Sequence, residues 1–356
     1  MNLQQFSPYK VIKIHDEIAA YRNHEADLFY RYPMHVKIDL TEACNHQCSF
    51  CFYGEENRDI GVKRENISKG RQSIPINTLH SVIQELAAGG TRALTLIGGG
   101  EPLLHPQIKD VLRAVTNTPM QFGVVTNGGR SMDNELFELL GKASWLRFSI
   151  DTLDPQVYLN MHRPKNQNID NLPHTLKNLK MILDRRNTGT TIGASFLLNP
   201  LNHAEILSFA RGMKEMGVDY VEFKPMYLDS LGEEQKQFFL EIRPVLNEVQ
   251  KLADSDFHVI VLMDRMSDSH FVTRDFTQCW VNYFTTHIGV DGRVYPCCVL
   301  AYAAGTEYGN LHEHTFSEIW LGERRRKIID LLSADQCPRC WFDKTNEVIE
   351  HILRDS

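Results

Sequence analysis

The chain has 356 residues, 42% hydrophobic and 23% charged, with a formal net charge of -7, the balance of an ordinary folded protein of two domains or of one barrel with an appendage. The acidic excess gives no electrostatic footing on nucleic acid or an anionic membrane, and no apolar run approaches the length of a transmembrane helix. Met1-Asn2-Leu3-Gln4-Gln5 lacks the basic and apolar regions of a signal peptide, so a cytoplasmic protein is expected, in which eight cysteines point to metal or redox chemistry more than to disulfides.

Residues 1–34 read as an N-terminal extension. Ile14 to Tyr30 carries a weak helical pattern with Ile18, Tyr21, Leu28 and Phe29 as its buried stripe, suited to closing the bottom or side of a barrel. His35 to Leu40 then reads as a strand and runs into Cys44, Cys48 and Cys51, at C-x3-C-x2-C spacing. A loop of that spacing can fold three thiolates around one inorganic cluster. A cubane cluster has four irons, normally held by four thiolates, so three local cysteines leave one iron open. An open coordination position is what separates catalytic from structural metal sites. A zinc site that adds His46 and a disulfide pairing are the alternatives. His46 lies inside the cysteine run, and nothing else in the chain suggests an oxidising compartment.

The cysteine spacing, with Phe50 and Phe52 flanking Cys51, resembles the signature of the radical S-adenosylmethionine (SAM) enzymes. The resemblance implies that Cys44, Cys48 and Cys51 hold a [4Fe-4S] cluster whose open iron chelates the amino and carboxylate groups of SAM.

After the polar stretch Glu55 to Ser73, read as an exposed loop, Pro75 opens a helix through Ala88, with Leu79, Val82, Ile83 and Leu86 at helical spacing and Gly89-Gly90 ending it. The strand Ala93 to Ile97 leads into Gly98-Gly99-Gly100-Glu101-Pro102. Glycines let backbone approach a ligand closely, and the segment resembles the GGEP motif of the same family, which implies that Gly99, Gly100 and Glu101 hold the SAM amino group. Helix and strand then alternate: helix His105 to Asn117, strand Gln121 to Thr126, helix Asp133 to Leu140, strand Trp145 to Asp151, helix Asn171 to Arg185, strand Thr191 to Leu197, helix Ala204 to Met216 and strand Tyr220 to Met226. Six strands interleaved with helices predict a parallel α/β sheet, and the resemblance makes it a partial (β/α)6 TIM-like barrel with its chemistry at the C-terminal strand ends. It further implies that Asn127 lies at the site, that Ser149 and Asp151 lie near the SAM ribose and its surroundings, and that Arg163 pairs with the SAM carboxylate, which a planar guanidinium fork suits.

Leu231 to Ala253 reads as one long amphipathic helix, followed by a strand-like His258 to Leu262. Thr286 to Val290 and Arg293 to Pro296 flank Asp291-Gly292 as a hairpin. Phe316 to Trp320 opens a helix, and Arg324-Arg325-Arg326-Lys327 is read as its solvated face. Cys279, Cys297, Cys298, Cys337 and Cys340 are the remaining cysteines. This tail resembles the SPASM domain and its shorter relative, the twitch domain, which bind auxiliary iron–sulfur clusters. Five cysteines suit a single [4Fe-4S] cluster held by Cys279, Cys297, Cys337 and Cys340, with a zinc ribbon as the alternative. Either Cys297 or Cys298 is the ligand, because neighbours on a strand point to opposite faces. The spare thiol, taken as Cys298, is a packed residue or a hydrogen-atom donor.

The expected division is an extension at 1–34, the partial barrel at 35–240, a connecting helix and strand at 241–275 and the auxiliary domain at 276–356. The resemblance implies an oxidoreductase that cleaves SAM reductively to a 5′-deoxyadenosyl radical, abstracts a substrate hydrogen atom and uses two [4Fe-4S] clusters. A small-molecule substrate such as a carbohydrate or aminoglycoside-like intermediate is expected, with dehydrogenation as the outcome and a flavodoxin or ferredoxin as electron donor. Epimerisation with Cys298 as donor, maturation of a ribosomally made peptide and a non-catalytic iron–sulfur carrier are the alternatives. A carrier has no use for Gly99-Gly100-Glu101 beside an open iron.

Overall fold

The computed structural model describes residues 8–54, 56–57, 63–67, 72–168, 171–226, 232–262, 274, 276–337, 340 and 342–354. Part of the polar 55–73 stretch, part of the segment before the long helix, and Pro338 and Arg339 lie outside them. Among the described residues no helix is long and apolar enough to cross a membrane.

The six expected strands are present and parallel: β1 (His35–Asp39), β2 (Ala93–Ile97), β3 (Gln121–Thr126), β4 (Trp145–Ser149), β5 (Thr191–Leu198) and β6 (Tyr220–Pro225). After α1 (His15–Ala19), the intervening helices are α2 (Ile76–Ala88), α3 (Ile108–Thr116), α4 (Asn134–Leu140), α5 (Pro155–His162), α6 (Leu172–Leu183) and α7 (Ile206–Met216), followed by α8 (Glu233–Gln250). Four strands extend the sheet beyond the expected six. β7 (His258–Val261) adds parallel to β6, and β8 (Thr285–Ile288), from the cysteine-rich tail, returns to pair parallel with β1. β9 (Arg293–Tyr295) and β10 (Gly309–Asn310) continue antiparallel beyond β8, so barrel and tail share one ten-stranded sheet.

Strand alternation sorts the side chains. Val36, Ile38, Leu94, Leu96, Leu146 and Phe148 are buried beneath the helices, each such side chain contributing about 1.5–3 kcal/mol of burial. The alternate residues Lys37, Trp145, Arg147 and Ser149 are only half-buried and line the lumen. There Arg147 pairs with Glu222, which also faces Lys224. Gly123 and Gly193 leave room for the rings of Trp145 and Tyr220, which a Cβ at either position would strike.

The extension forms short turns and α1 in place of one helix, but buries Ile18, Leu28 and Phe29 as expected. It packs on the C-terminal helix Asp343–Arg354, with Arg22 Nε donating to the Ile352 carbonyl at 2.7 Å. The basic run is not simply a solvated face. Arg325 is fully buried, stacked 3.6 Å over the Trp320 ring and donating to the Phe29 and Trp320 carbonyls. An arginine can be buried without a carboxylate when aromatic faces and carbonyls satisfy its fork.

Glu101 ties the ends of β2 and β3 together. Its Oε1 accepts from Thr126 Oγ1 at 2.6 Å and from Leu103 N at 3.0 Å, and its Oε2 accepts from Asn127 N at 2.7 Å. Burial pushes its pKa from 4.5 up to about 7, against the pull of those donors. A carboxyl with a raised folded pKa holds its proton longer in the folded state, so this group's contribution to stability is fully present below pH 4.5 and is lost as pH rises to about 7. Glu101→Gln should flatten the wild-type loss of stability between pH 4.5 and about 7, a loss on the order of 3 kcal/mol. Denaturant titrations at stepped pH check this; equal slopes for both proteins would contradict it.

Candidate metal and cofactor site

The first cysteine loop starts where β1 ends and is clamped on both sides. On one side Gly100 N donates to the Thr41 carbonyl at 2.9 Å and Glu101 N to the Ala43 carbonyl at 2.8 Å. A Cβ at Gly100 would lie 2.3 Å from the Ala43 oxygen, so only glycine permits this approach. On the other side the C-terminal carbonyls of α5, left without intrahelical partners, accept from the loop: Gln47 N to His162 O at 3.2 Å and Ser49 N to Met161 O at 2.9 Å. Lys165 Nζ donates to the Cys44 carbonyl at 2.8 Å. α5 escapes a search for apolar periodicity, yet Asp154-Pro155 marks its start: the Asp154 side chain accepts from Gln156 N and Val157 N, with proline at the first helical position.

Cys44, Cys48 and Cys51 are all free thiols. Burial pushes Cys44 up to about 12 and raises Cys48 and Cys51; for Cys48 the neighbouring charges of Cys51 and Cys44 add to the effect. A cationic group is what would make these thiols thiolates. Three thiols on one short loop clamped by backbone hydrogen bonds on both flanks are a donor set that fits an iron–sulfur cluster.

The other sequence-derived residues fall at the mouth of the same lumen, in different roles. Gly99 and Gly100 lie beside the loop, and the space a Cβ would occupy at Gly99 is open to 3.8 Å, where Tyr302 Oη stands. Asn127 Nδ2 donates to Asn45 Oδ1 at 2.8 Å and lies 3.9 Å from Cys44 Sγ. Ser149 ends β4 half-buried. Arg163 caps α5 in the left-handed region at φ 45 and keeps its guanidinium half exposed, 3.5 Å from Glu56. Two of the carboxylates also meet protein donors. Glu101 accepts the three hydrogen bonds given above. Asp151, 1% exposed and left-handed at φ 63, spends Oδ1 on Leu197 N and sets Oδ2 3.3 Å from His162 Nε2. Both carboxylates thereby satisfy buried donors.

The tail brings Cys279, Cys297, Cys337 and Cys340 around one cavity, whose other walls include Val299, Leu300 and Phe342. Burial raises all four thiols, Cys279 and Cys337 to about 12. Asn346 Nδ2 lies 3.6 Å from Cys279 Sγ. Four converging thiols fit a cluster held entirely by protein. Cys298 does not line this cavity; its sulfur accepts from Lys37 Nζ at 3.3 Å, on the lumen side. β9 ends at Tyr295, so Cys297 and Cys298 lie in the turn after it and strand alternation does not govern them; the turn sets Cys297 at the cavity and Cys298 away from it.

A buried polar knot, not anticipated from sequence, lies between the two cysteine sites. Asp39 Oδ2 accepts from His287 Nε2 at 2.9 Å and from Tyr302 Oη at 2.7 Å. Tyr302 stands edge-on to Tyr53, two residues past Cys51, at 5.8 Å. Arg64, 2% exposed, stacks 3.8 Å over Phe52 and donates to the Val299 carbonyl. Period-two alternation along β1 could have placed Lys37 and Asp39 inside; nothing local announces His287 or Tyr302 as the partners of Asp39.

A family model described as the radical SAM superfamily matches residues 38–211, and one described as an iron–sulfur cluster-binding domain, SPASM, matches residues 279–341. The chain is 23% identical over 317 residues to the tungsten-containing aldehyde ferredoxin oxidoreductase cofactor-modifying protein of Pyrococcus furiosus, covering 82% of this chain and 81% of that one. Among solved structures it is similar to Streptococcus suis SuiB bound to S-adenosylmethionine, with TM-score 0.64 and 14% identity over 85% of this chain and 69% of that chain. It is likewise similar to anSMEcpe with bound AdoMet, with TM-score 0.59 and 15% identity over 84% of each chain; at such identities the structural likeness speaks for the fold. This chain belongs to the radical SAM superfamily and carries a C-terminal SPASM iron–sulfur domain.

Proposed function

We propose that the enzyme oxidises a small polar molecule by two electrons, with Cys44, Cys48 and Cys51 holding the SAM-cleaving cluster and Cys279, Cys297, Cys337 and Cys340 holding one auxiliary cluster. The observation that carries this reading is the single cavity lined by four thiols. A cluster with a protein ligand for every iron has no position left for substrate and suits electron uptake. When bound, the two clusters and SAM supply a hydrogen-abstracting radical and an acceptor for the remaining electron. The electron that starts the reaction comes, in this reading, from a flavodoxin or ferredoxin.

The chain's own residues hold and orient. The Gly99-Gly100 backbone accepts the close approach of the SAM amino group, Arg163 offers its half-exposed fork to the SAM carboxylate, and Asn127 and Ser149 line the mouth between them. Glu101 and Asp151 act from behind, fixing the β3 end and α5. In the lumen, Lys37, Arg147, Glu222 and Lys224 present charged groups above the Trp145 and Tyr220 rings, an environment suited to a hydroxyl-rich or charged small molecule. The contact of Cys298 with Lys37 makes its sulfur an acceptor held on β1, which favours oxidation over return of a hydrogen atom from that thiol. The division into extension, barrel, connector and auxiliary domain stands as a functional proposal, although β8 places part of the tail within the barrel sheet.

Anaerobically purified protein should hold about eight irons, about four per cluster. Replacing Cys44, Cys48 and Cys51 together by Ala should leave about half of the iron and abolish 5′-deoxyadenosine formation. Zinc in the tail, with iron only at the first site, would sink the auxiliary-cluster reading. Gly100→Ala should also forfeit the first cluster, because its Cβ meets the Ala43 carbonyl, while the four-thiol site keeps its iron; electron paramagnetic resonance of the reduced protein separates the two. In deuterated water the product should be two hydrogens lighter than the substrate, carry no solvent deuterium at the reacting carbon, and form in Cys298→Ala as well. An inverted, deuterium-bearing carbon that disappears with Cys298→Ala would establish epimerisation instead.

A further inference from the structure

The geometry points to a mononuclear metal site in the first cysteine loop, formed by His46, Cys48 and His162, that takes a divalent ion of the zinc or ferrous class and excludes the cluster while filled. One ligand atom from each of the three lies within 4.8 Å of the others. The site is enclosed, with His46 3% and His162 1% exposed. Both rings are held in place: His162 stacks on Tyr158 at 4.4 Å, and His46 stands edge-on to His162 at 5.6 Å. The His46 backbone is bridged to Pro164.

The tautomer of His162 follows from its neighbours. Nε2 lies 3.0 Å from the Ile150 carbonyl and 3.3 Å from Asp151 Oδ2. Both neighbours face it as acceptors, so Nε2 carries the hydrogen, and the neutral form of the ring, the one a metal ion binds, has its lone pair on Nδ1. Nδ1 is 3.6 Å from Cys48 Sγ. For a tetrahedral ion with bonds of about 2.3 Å to sulfur and about 2.0–2.1 Å to nitrogen, ligand atoms sit roughly 3.5–3.6 Å apart. A carbonyl and a carboxylate behind the ring are the outer partners that metal-bound histidines use to fix orientation and basicity. An unprotonated nitrogen offers a cluster thiolate no hydrogen bond, whereas it offers a metal ion a ligand. Two imidazoles and one thiolate suit zinc or ferrous iron, with the fourth position left to water. Since Cys48 serves both, the mononuclear site and the cluster exclude one another; only this competition rests on the cluster assignment above.

The test titrates the full chain, purified free of metal, with Co2+ and reads optical absorption. The four-thiol cavity takes a first equivalent. With Cys44→Ala and Cys51→Ala removing the other local thiols, a second equivalent should still bind, with tetrahedral d–d bands and a weaker thiolate-to-cobalt band than the first. Adding His162→Ala should weaken that second equivalent at least ~10-fold, the loss seen even for supporting partners of a metal ligand. In the unsubstituted chain loaded with two equivalents of Zn2+, X-ray absorption should show imidazole nitrogen in the average shell, and this reading stands even if the alanine variants do not fold. A single Co2+ equivalent in the folded double variant, a second equivalent indifferent to His162→Ala, or an all-sulfur zinc shell each overturns the site.

Discussion

Everything at the mouth of this barrel depends on how the first cysteine loop is held, and it is held by backbone. Amides of the glycine turn after β2 donate into the loop, and amides of the loop donate into the carbonyl end of α5. Main-chain hydrogen bonds on both flanks leave three cysteine side chains free to converge. The arrangement requires that Gly100 have no side chain, since 2.3 Å to the Ala43 oxygen admits none, and that α5 stop where Arg163 turns left-handed. The two carboxylates that sequence comparison would place against a cofactor reinforce these flanks: Glu101 fixes the β3 end, and Asp151 sits behind His162.

The second organising fact is that the cysteine-rich tail is part of the barrel sheet. β8 pairs with β1 in parallel register, His35 opposite Thr285 and Lys37 opposite His287. The strand that launches the first cysteine loop is thus bonded to the first strand of the hairpin that leads to Cys297. Across this seam lie Asp39, His287 and Tyr302, fully or almost fully buried, with Tyr53 and Arg64 reaching over from the first loop. A carboxylate sealed at 0% exposure is costly unless donors meet it; His287 and Tyr302 do so from the tail, so removing either would leave a charge from the barrel poorly compensated. The seam is therefore a specific union of two segments that lie far apart in sequence.

Burial gives both cysteine sets the same electrostatic character. Thiols raised by desolvation and by one another remain neutral until a cationic group arrives, so metal loading and ionisation are one event. The aromatic cage around Arg325 shows the converse, a buried cation met by carbonyls and ring faces, its pKa lowered to about 10 by desolvation.

The sequence by itself determined the parts of this protein that rest on local periodicity and spacing. The alternation of strands and helices, the C-x3-C-x2-C loop, the glycine turn after β2 and the tail hairpin were all legible, because each is set by residues within a few positions of one another. The sheet bears out six strands at the places read from the chain. Tertiary structure decided what depends on partners brought from afar. Arg325 looked solvated until Phe29 and Trp320 closed over it. The buried donors that Glu101 and Asp151 meet, Thr126 and the Leu197 amide, left no local mark in the sequence. His162 carried no signal until α5 set its ring against Cys48. A side chain's periodicity tells which face it occupies, but its role is fixed by which donor, acceptor or ring fills the space opposite, and that is set by long-range pairing such as β8 with β1.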